Sequence, residues 1–535
     1  MPNLLKAMSH NLIRTSLAAC LLATAGVATA AEPTVLPHRC LELPPGPGNP
    51  RNSEGAFITL KNGRILFVYT RFNGKHGGDD GAAVIAQRHS DDNGETWTKQ
   101  DKIIVENEGT QNVMSVSLLR LANGRIALFY LKKNSDFDCR PFLRFSDDEA
   151  ETWSAPIDCI PREIGYYVLN NDRVIQLSSG RLVMPLCQHA KQNDLQSDYR
   201  GTLLCYLSDD NGLTWHRSKQ EWKVFNDNGQ RITVQEPGVV ELKDGRIMMF
   251  IRSSCGSQMV SHSSDGGETW SKSQPSDMMS PLSPASIKRI PQTGDLLLVW
   301  NNHRNLPPVL SGRRVPLSMA ISKDDGQTWT LIKTLEGNLR NGWYCYIAIH
   351  FVGDDILLGY CALDGLAHSR ITKVPVSWVY RDVPARPYEC SPSIFDNVAN
   401  GPFTTLETSL GTWTAAEGQT EVMTYVRGKG INLKGGAETS MELNLSTPQK
   451  LSDVALTAER FTSAPPYAFV IEAFVDGKWA LVFTQGVKTT VGERHPVVWS
   501  QPTLTTQRLR FRCSSPRGVI VGVPQTVTLN AFFED

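Results

Sequence analysis

The 535-residue sequence predicts an all-β protein: a six-bladed β-propeller over residues 35–385, followed by a jelly-roll-like β-sandwich over residues 395–535. Three observations support this prediction. A turn-centred hairpin motif recurs six times, a Ser-x-Asp-x-Gly-x-Thr-Trp motif recurs five times, and neither motif occurs after residue 385. The interval between copies is long enough for one four-stranded sheet, and repetition of such sheets around an axis gives a propeller.

The hairpin motif consists of an apolar residue, two turn residues, a glycine, a basic residue and an apolar run. Clear copies begin at Leu60, Leu121, Leu177 and Leu242, and weaker copies lie at residues 293–296 and 353–356. Asn-Gly and Asp-Gly pairs supply the positive φ that tight hairpin turns require, and β-branched or aromatic residues follow them. Each copy therefore predicts two antiparallel strands.

The second motif, an Asp box, is interleaved with these hairpins and begins at Ser90, Ser146, Ser208, Ser263 and Ser322. In the second copy Ala150 replaces the glycine. The aspartate can accept backbone N–H bonds, the glycine permits a bend, and the tryptophan can pack between sheets. Because five aspartates cannot share one active site, we expect these boxes to be structural.

The two ends of the chain differ from the repeats. Lys6 and Arg14 precede an apolar run that ends in Ala28-Thr29-Ala30, a pattern typical of a signal peptide covering residues 1–30, so we expect a secreted or periplasmic protein. A lipoprotein cleavage before Cys20 is the alternative. After a proline-rich stretch at residues 383–392, alternating segments such as residues 440–445 and 468–474 predict the sandwich, whose role in carbohydrate binding or in structure is left open.

Composition excludes several classes of protein. The chain has 54 basic and 54 acidic residues, whereas nucleic-acid binders usually carry a basic excess. No apolar run after the signal peptide approaches the ~18 residues that span a bilayer. The eleven cysteines show no zinc spacing, so we expect no metal and no cofactor. One or two disulfides after export are compatible with the sequence, which does not pair the cysteines and leaves the oligomeric state open.

The Asp boxes, their spacing and the signal peptide resemble the sialidase (neuraminidase) superfamily over about residues 45–380. The resemblance implies a retaining exo-sialidase that acts on sialylated glycoconjugates. Three arginines would hold the substrate carboxylate, one carboxylic acid would act as acid and base, and a tyrosine paired with a glutamate would be the nucleophile. A neutral phenol avoids the repulsion that a carboxylate nucleophile would meet from the substrate, and sialidases are a known exception of this kind among glycosidases.

Several segments match this pattern. Glu236 is followed sixteen residues later by Arg252, as the family's glutamate is followed by its second arginine. The third arginine falls on Arg314 in preference to Arg313, with Arg304 a distant third choice. Arg51 is the only suitable first arginine, although it stands two residues further upstream than the family pattern and lacks the usual Arg-Ile-Pro.

The acid/base and the nucleophile each have one alternate. Asp79 lies eleven residues before the first Asp box, a spacing that resembles the family's acid/base position, with Asp80 one position off; both stand in a glycine-rich loop. Alignment through Ile347-Ala348 favours Tyr344 as the nucleophile, with Tyr346 as the alternate.

Further substrate contacts are implied less specifically. Arg71 resembles an accessory arginine of the family's pocket, and the positions of Gln111, Asn170 and Asp172 suit contacts to the glycerol or N-acyl end of the sugar. Two other functions are compatible with the sequence: a non-catalytic propeller that binds sialoglycans, and a glycosidase that acts on another ulosonic or acidic sugar.

Overall fold

The computed structural model describes residues 36–304, 312–337, 342–363 and 367–381, followed by separate β-strand segments between residues 401 and 534. The expected signal peptide and the proline-rich stretch lie outside the described residues. Strands predominate in the described part, and one short helix, α1 (Val376–Val379), follows the repeats. None of the helices in the described part is long and apolar enough to cross a bilayer.

The first repeats form strands that alternate with tight turns. These strands are β1 (His38–Leu43), β2 (Arg51–Thr59), β3 (Ile65–Phe72), β4 (Ala83–Ser90), β5 (Lys102–Val105), β6 (Asn112–Arg120), β7 (Ile126–Ser135), β8 (Asp138–Ser146), β9 (Ile157–Asp158), β10 (Gly165–Val168), β11 (Ile175–Gln176), β12 (Leu182–Lys191), β13 (Thr202–Ser208) and β14 (His216–Arg217). Strands β2 to β5 form a four-stranded antiparallel sheet in chain order. Strands β6 to β14 form a nine-stranded sheet, in which one parallel pair, Tyr166 with Cys139, joins β10 to β8.

The later repeats continue the pattern. They contain β15 (Val234–Glu241), β16 (Ile247–Ser253), β17 (Ser257–Ser263), β18 (Gln274–Met279), β19 (Ser286–Arg289), β20 (Leu296–Trp300), β21 (Leu317–Ser322), β22 (Thr330–Glu336), β23 (Cys345–Val352), β24 (Asp355–Leu363) and β25 (His368–Pro375). Strands β15 to β18 and β19 to β22 form two four-stranded sheets. Strands β23 to β25 take their fourth strand, β1, from the beginning of the repeat region, which closes the ring.

The first strands of successive sheets lie side by side: β2 adjoins β6 and β23, and β19 adjoins β15 and β23. Apolar residues fill the space between sheets, as where Leu297 and Met319 pack with Ile349 and Leu358. Burial of such side chains is the main stabilising term in a β-fold of this kind. The predicted all-β propeller is confirmed, and the number of six blades stays a prediction, because the nine-stranded sheet spans two repeats.

The Asp boxes are structural, as expected. In the first box both carboxylate oxygens of Asp92 accept hydrogen bonds from Thr96, and the Trp97 indole donates to the carbonyl of Gly94 at 3.1 Å. Hydrogen bonds from the Thr96 hydroxyl and amide outweigh the small effect of burial and lower the pKa of Asp92 to about 2. The same carboxylate contacts recur in the other four boxes, so these aspartates hold turns.

The C-terminal segments form one eleven-stranded antiparallel sheet. Its strands are β26 (Gly401–Phe403), β27 (Thr405–Glu407), β28 (Gly411–Ala415), β29 (Met423–Val426), β30 (Gly430–Leu433), β31 (Glu438–Glu459), β32 (Tyr467–Val475), β33 (Lys478–Val487), β34 (Val498–Ser500), β35 (Leu504–Ser514) and β36 (Gln525–Glu534). The long strand β31 pairs with β35 through its first part and with β36 through its second. Its arrangement as a sandwich, and the domain boundaries at residues 385 and 395, stay predictions.

Candidate active site

In four of the repeats, the first strand carries a β-bulge at an equivalent position. The bulge residues are Glu54 in β2, Ser115 in β6, Glu236 in β15 and Tyr346 in β23, and each has a positive φ between 47° and 58°. A bulge turns a side chain away from the direction that regular strand alternation would give it. Because β2 adjoins β6 and β23, and β19 adjoins β23 and β15, the bulges gather polar side chains where the sheets meet.

Glu236 and Arg252 form an ion pair within one sheet. Nη1 of Arg252 donates to Oε1 of Glu236 at 2.6 Å, and both side chains are largely buried. Within the described residues, Oε2 of Glu236 and Nε of Arg252 are buried without a hydrogen-bond partner. The pair therefore retains one acceptor and one donor for a further group, and the sequence placed these two residues together correctly.

Arg51 begins β2 and is only 3% exposed. Its Nη1 donates to Oδ1 of Asp79 at 2.7 Å and to the Gly77 carbonyl at 3.2 Å, and its Nη2 lies 3.5 Å from Oε2 of Glu54. Burial alone would lower the pKa of Arg51, but the carboxylates of Glu54 and Asp79 outweigh burial and raise it. Arg51 is therefore a fixed cation with carboxylates on two sides.

Arg51, Arg252 and Arg314 form an arginine cluster around Glu236 and Tyr346. Asp79, and not Asp80, contacts this cluster. Its side chain is 62% exposed, and its loop is held by Asn112, whose Nδ2 donates to the carbonyls of Asp79 and Gly81. The carboxylate of Asp80 instead lies 3.9 Å from His76, and both of those side chains are well exposed. An exposed carboxylate on a tethered glycine-rich loop can reach a bound ligand.

Arg314 is the arginine of its segment that belongs to the cluster. It is 8% exposed, and its guanidinium carbon lies 5.5 Å from the centre of the Tyr346 ring and 5.6 Å from that of Trp343. Its Nη1 is buried without a hydrogen-bond partner among the described residues. The Arg304 guanidinium instead donates to the carbonyl of Asp277, away from these rings.

The ring of Tyr346 lies beside the Arg314 guanidinium, whereas the sequence favoured Tyr344 as the nucleophile. Tyr344 is fully buried in the apolar cluster between two sheets, where its ring lies 6.3 Å from that of Tyr360. The bulge turns Tyr346 to Arg314, and burial together with the charge of Glu236 raises the pKa of Tyr346. Strand register and the bulge decide which tyrosine faces inward, and the sequence alone specifies neither of them.

Arg71 and Asp172, two of the residues expected to contact the substrate, form ion pairs with other residues. Nε of Arg71 lies 3.1 Å from the carboxylate of Asp101, which also accepts a bond from the Tyr69 hydroxyl. The two oxygens of Asp172 accept bonds from Nζ of Lys288 at 2.7 Å and from the Ile349 amide at 3.0 Å. Both residues therefore have structural partners, and the described contacts do not join them to the arginine cluster.

The other two expected contacts keep unused polar atoms. Oε1 of Gln111 and Nδ2 of Asn170 are buried and have no hydrogen-bond partner in the described part of the chain. Asn171, the neighbour of Asn170, donates from its Nδ2 to the carbonyls of Gly55 and Tyr346. Asn171 thereby ties together two bulged strands.

Glu54 is a central carboxylate that sequence reasoning missed. It is 8% exposed and accepts a hydrogen bond from the Ser115 hydroxyl at 3.1 Å. Burial raises the pKa of Glu54 to about 7, despite the opposing charge of Arg51. The sequence contains one signal for this carboxylate: Glu54 stands directly before Gly55 and three residues after Arg51.

The rings of Tyr166 and His189 form a wall, the ring wall, that extends from the Asp79 loop to the neighbourhood of Glu236. Nζ of Lys133 donates to the Asp79 carbonyl at 3.3 Å and lies 5.1 Å from the Tyr166 ring. The Tyr166 ring stacks on His189 with centroids 5.5 Å apart. Burial lowers the pKa of His189 to about 4, and both ring nitrogens lack a hydrogen-bond partner among the described residues. This wall offers a neutral imidazole as donor and acceptor.

One group of three residues within the described part has ligand atoms close enough for a metal ion: His38, Cys40 and Glu95. Its contacts are those of an exposed ion-pair cluster, since Nζ of Lys373 lies 2.6 Å from Glu95, which also contacts His38 at 2.9 Å. A cation beside the carboxylate opposes metal binding. The residues of the arginine cluster are not a metal ligand set.

These features define an all-β propeller with a centre of buried arginines, carboxylates and one tyrosine. Residues 63–356 match the family model of the BNR repeat-like domain, and the chain belongs to that family. It is 28% identical over 239 residues to a sialidase of Paraclostridium sordellii and 29% identical over 247 residues to a sialidase of Clostridium perfringens. Each match covers 40% of this chain but only 55% and 59% of those proteins.

A solved structure of a Hadza microbial sialidase has a TM-score of 0.50 at 17% identity, with 62% of this chain and 67% of that chain covered. At this identity the likeness supports the fold alone.

Proposed function

We propose that the protein is an exported, retaining exo-sialidase, a glycoside hydrolase that removes terminal sialic acid from glycoconjugates. The observation that supports this most is the meeting of Arg314 with Tyr346 beside Glu236, because cation, phenol and carboxylate are the three groups that the reaction requires. Export follows from the signal-peptide pattern of residues 1–30.

Arg51, Arg252 and Arg314 would bind the carboxylate of the sugar. Guanidinium groups present donors in a planar fork that matches carboxylate oxygens in pairs. The buried unpartnered donors of Arg252 and Arg314 suit this role, and the substrate carboxylate would replace Asp79 at Arg51. Replacement frees the Asp79 carboxyl group for chemistry at the glycosidic oxygen.

Tyr346 would be the nucleophile, assisted by Glu236. Burial and the nearby glutamate keep its phenol protonated, so no negative charge faces the incoming anion. As the phenol oxygen bonds to the anomeric carbon, Glu236 takes its proton and the bond to the leaving oxygen breaks. Negative charge therefore develops on the phenol oxygen only in the transition state, as Glu236 accepts the phenol proton.

Asp79 would protonate the leaving oxygen and then remove a proton from the water that releases the sugar. Its exposed side chain suits a group that must meet both the aglycone and solvent. One residue serves as acid and then as base because the second step reverses the proton transfer of the first.

The ring wall and its polar neighbours would bind the rest of the sugar. Neutral His189 can donate to one hydroxyl oxygen and accept from another, and Asn170 and Gln111 add an unused donor and acceptor. Arg71 and Asp172 have no place in this proposal because their side chains are held by Asp101 and Lys288.

A related acidic sugar is the second candidate substrate, and Glu54 favours it. An additional carboxylate beside Arg51 changes the charge at the site where the sugar carboxylate would bind. Another ulosonic or acidic sugar is therefore the alternative substrate. A non-catalytic sialoglycan-binding propeller is the remaining candidate.

Hydrolysis of fluorogenic glycosides tests these candidates. We expect the folded protein to release N-acetylneuraminic acid between about pH 4 and 8, the range in which a carboxyl acid/base pair works. Tyr346→Phe should abolish release, with Tyr344→Phe as the matched control that retains it. Release from the glycoside of another ulosonic acid, without release of N-acetylneuraminic acid, would favour the second substrate. Sialoside binding with no release by the wild type would identify a binding protein.

A further inference from the structure

Two cysteines face each other directly across neighbouring strands. Cys345 of β23 and Cys361 of β24 are register partners in an antiparallel pair, and both are fully buried. Such partners have Cα atoms about 4.5 to 5.5 Å apart, with side chains on the same face. A disulfide needs a Cα separation of about 4.4 to 6.8 Å, a range that includes the separation of directly opposed residues.

The two thiols lie among the residues of the arginine cluster. Cys345, Cys361 and Tyr346 pack together with Trp343 against them. Sγ of Cys361 lies 3.3 Å from the Ser53 hydroxyl, two residues from Arg51. A change in the charge of these sulfur atoms would therefore act on the central cations.

We propose that Cys345 and Cys361 are an oxidation site, at which hydrogen peroxide converts the two thiols into a disulfide between β23 and β24. The sulfur of Cys361 attacks one peroxide oxygen, the O–O bond breaks, and the products are a sulfenic acid and one water molecule. The sulfur of Cys345 then displaces the hydroxyl of the sulfenic acid as a second water molecule. The two sulfurs lose two electrons in total, and the peroxide gains them.

Cys361 is the thiol that reacts first. The hydrogen bond from Cys345 lowers its pKa, burial opposes this, and Arg51 and Ser53 lower it further, to about 6. Thiolates are the reactive form of cysteine. Burial instead raises the pKa of Cys345.

The charged groups around this pair come from three elements. Arg51 and Glu54 of β2 face Cys361, and both the Arg51 charge and the Glu54 backbone lower the pKa of Cys361. Tyr346 follows Cys345 on β23, and Arg314 faces Cys345 from the segment before β21. The buried thiols of Cys139, Cys187 and Cys205 have pKa values raised by burial, so they should react with peroxide more slowly than Cys361.

Mass spectrometry of the full chain tests the proposal without any activity measurement. The reduced, folded protein is treated with a small excess of hydrogen peroxide, then denatured, alkylated and digested with trypsin. Residues 341–370 contain no lysine or arginine before the last position, so both cysteines fall in one tryptic peptide. We expect this peptide to become lighter by two hydrogen atoms and to carry no alkyl group.

Cleavage of that peptide between Asp354 and Asp355 should leave the two parts joined until they are reduced. The rate of oxidation should rise through about pH 6 and level off above pH 7, following the Cys361 thiolate. Cys187→Ser, a buried cysteine on β12, is the control variant and should leave the linkage intact. Peptides 341–370 alkylated at both cysteines after treatment, or a rate that still rises at pH 9, would overturn the proposal.

Discussion

Tyr346 and Glu236 occupy the same position in strands of different sheets: each is the positive-φ residue of a β-bulge, with φ values of 58° and 47°. The strands that carry them belong to the ring in which β19 adjoins both β15 and β23. Burial and the charge of Glu236 together raise the pKa of Tyr346. A β-bulge thus positions both the proposed nucleophile and its base.

Replacing Glu236 by Gln should remove the proton acceptor while keeping the size of the side chain. We expect kcat for sialoside hydrolysis to fall by about 10²- to 10⁴-fold, the usual contribution of a general base. KM should change much less. Glu241→Gln is the control on the same strand, because that carboxylate contacts Ser178 and not the cluster. Equal kcat values for Glu236→Gln and wild type would exclude Glu236 as the base.

Replacing Arg314 by Lys should keep the positive charge but remove the planar fork and its ring contacts. We expect KM to rise about 10- to 100-fold, because charge-assisted hydrogen bonds contribute about 1.5–3 kcal/mol. Arg313→Lys is the neighbouring control and should leave KM near the wild-type value. If both variants shift KM equally, the assignment of the third arginine is wrong.

The buried Glu54 should make stability depend on pH. Burial raises its pKa from 4.5 to about 7, so between these values the folded state binds more protons than the unfolded state. Stability should therefore fall as pH rises through this window, by up to a few kcal/mol. Melting temperatures at pH 5 and pH 8 measure the effect, and Glu54→Gln should remove this part of the decrease.

Glu42 is a control for that measurement, because its ionisation should change stability with pH in the opposite direction. Burial opposes ionisation of Glu42, but its hydrogen bonds with His368 and Arg370 outweigh burial and lower its pKa. Its contribution to stability is present above its ordinary pKa and is lost in acid, so Glu42→Gln should lower the melting temperature at pH 8. A pH profile of Glu54→Gln identical to that of the wild type would contradict the buried-carboxyl assignment.

The imperfect Asp box should be improved by restoring its glycine. Ala150 has a φ of 66°, a left-handed conformation that costs a residue with a Cβ about 1–2 kcal/mol. We expect Ala150→Gly to raise the melting temperature. The reciprocal change Gly94→Ala should lower it, because a Cβ there would lie 2.7 Å from the Leu357 side chain. Destabilisation by both changes would show that packing of the Ala150 methyl group outweighs the backbone strain.

Sequence predicted the fold well because its signals are local. Each Asp box and each hairpin turn is specified by residues within one short segment, and their repetition implies the sheets. The pairing of Glu236 with Arg252 was also accessible, since both lie on one hairpin. The choice between Tyr344 and Tyr346 was not, because it depends on where a bulge interrupts the strand. The ion pairs of Arg71 with Asp101 and of Asp172 with Lys288 were not predictable either, because each joins segments that are far apart in the sequence.

The most direct test of the central claim is covalent labelling with a 3-fluorinated N-acetylneuraminic acid glycosyl fluoride. The fluorine substituent slows release of the enzyme-bound sugar, so the nucleophile stays labelled long enough for peptide mapping. We predict one sugar per chain, attached to Tyr346, and no label in Tyr346→Phe. Attachment to Tyr344 or to a carboxylate, or the absence of any label, would contradict the proposed mechanism.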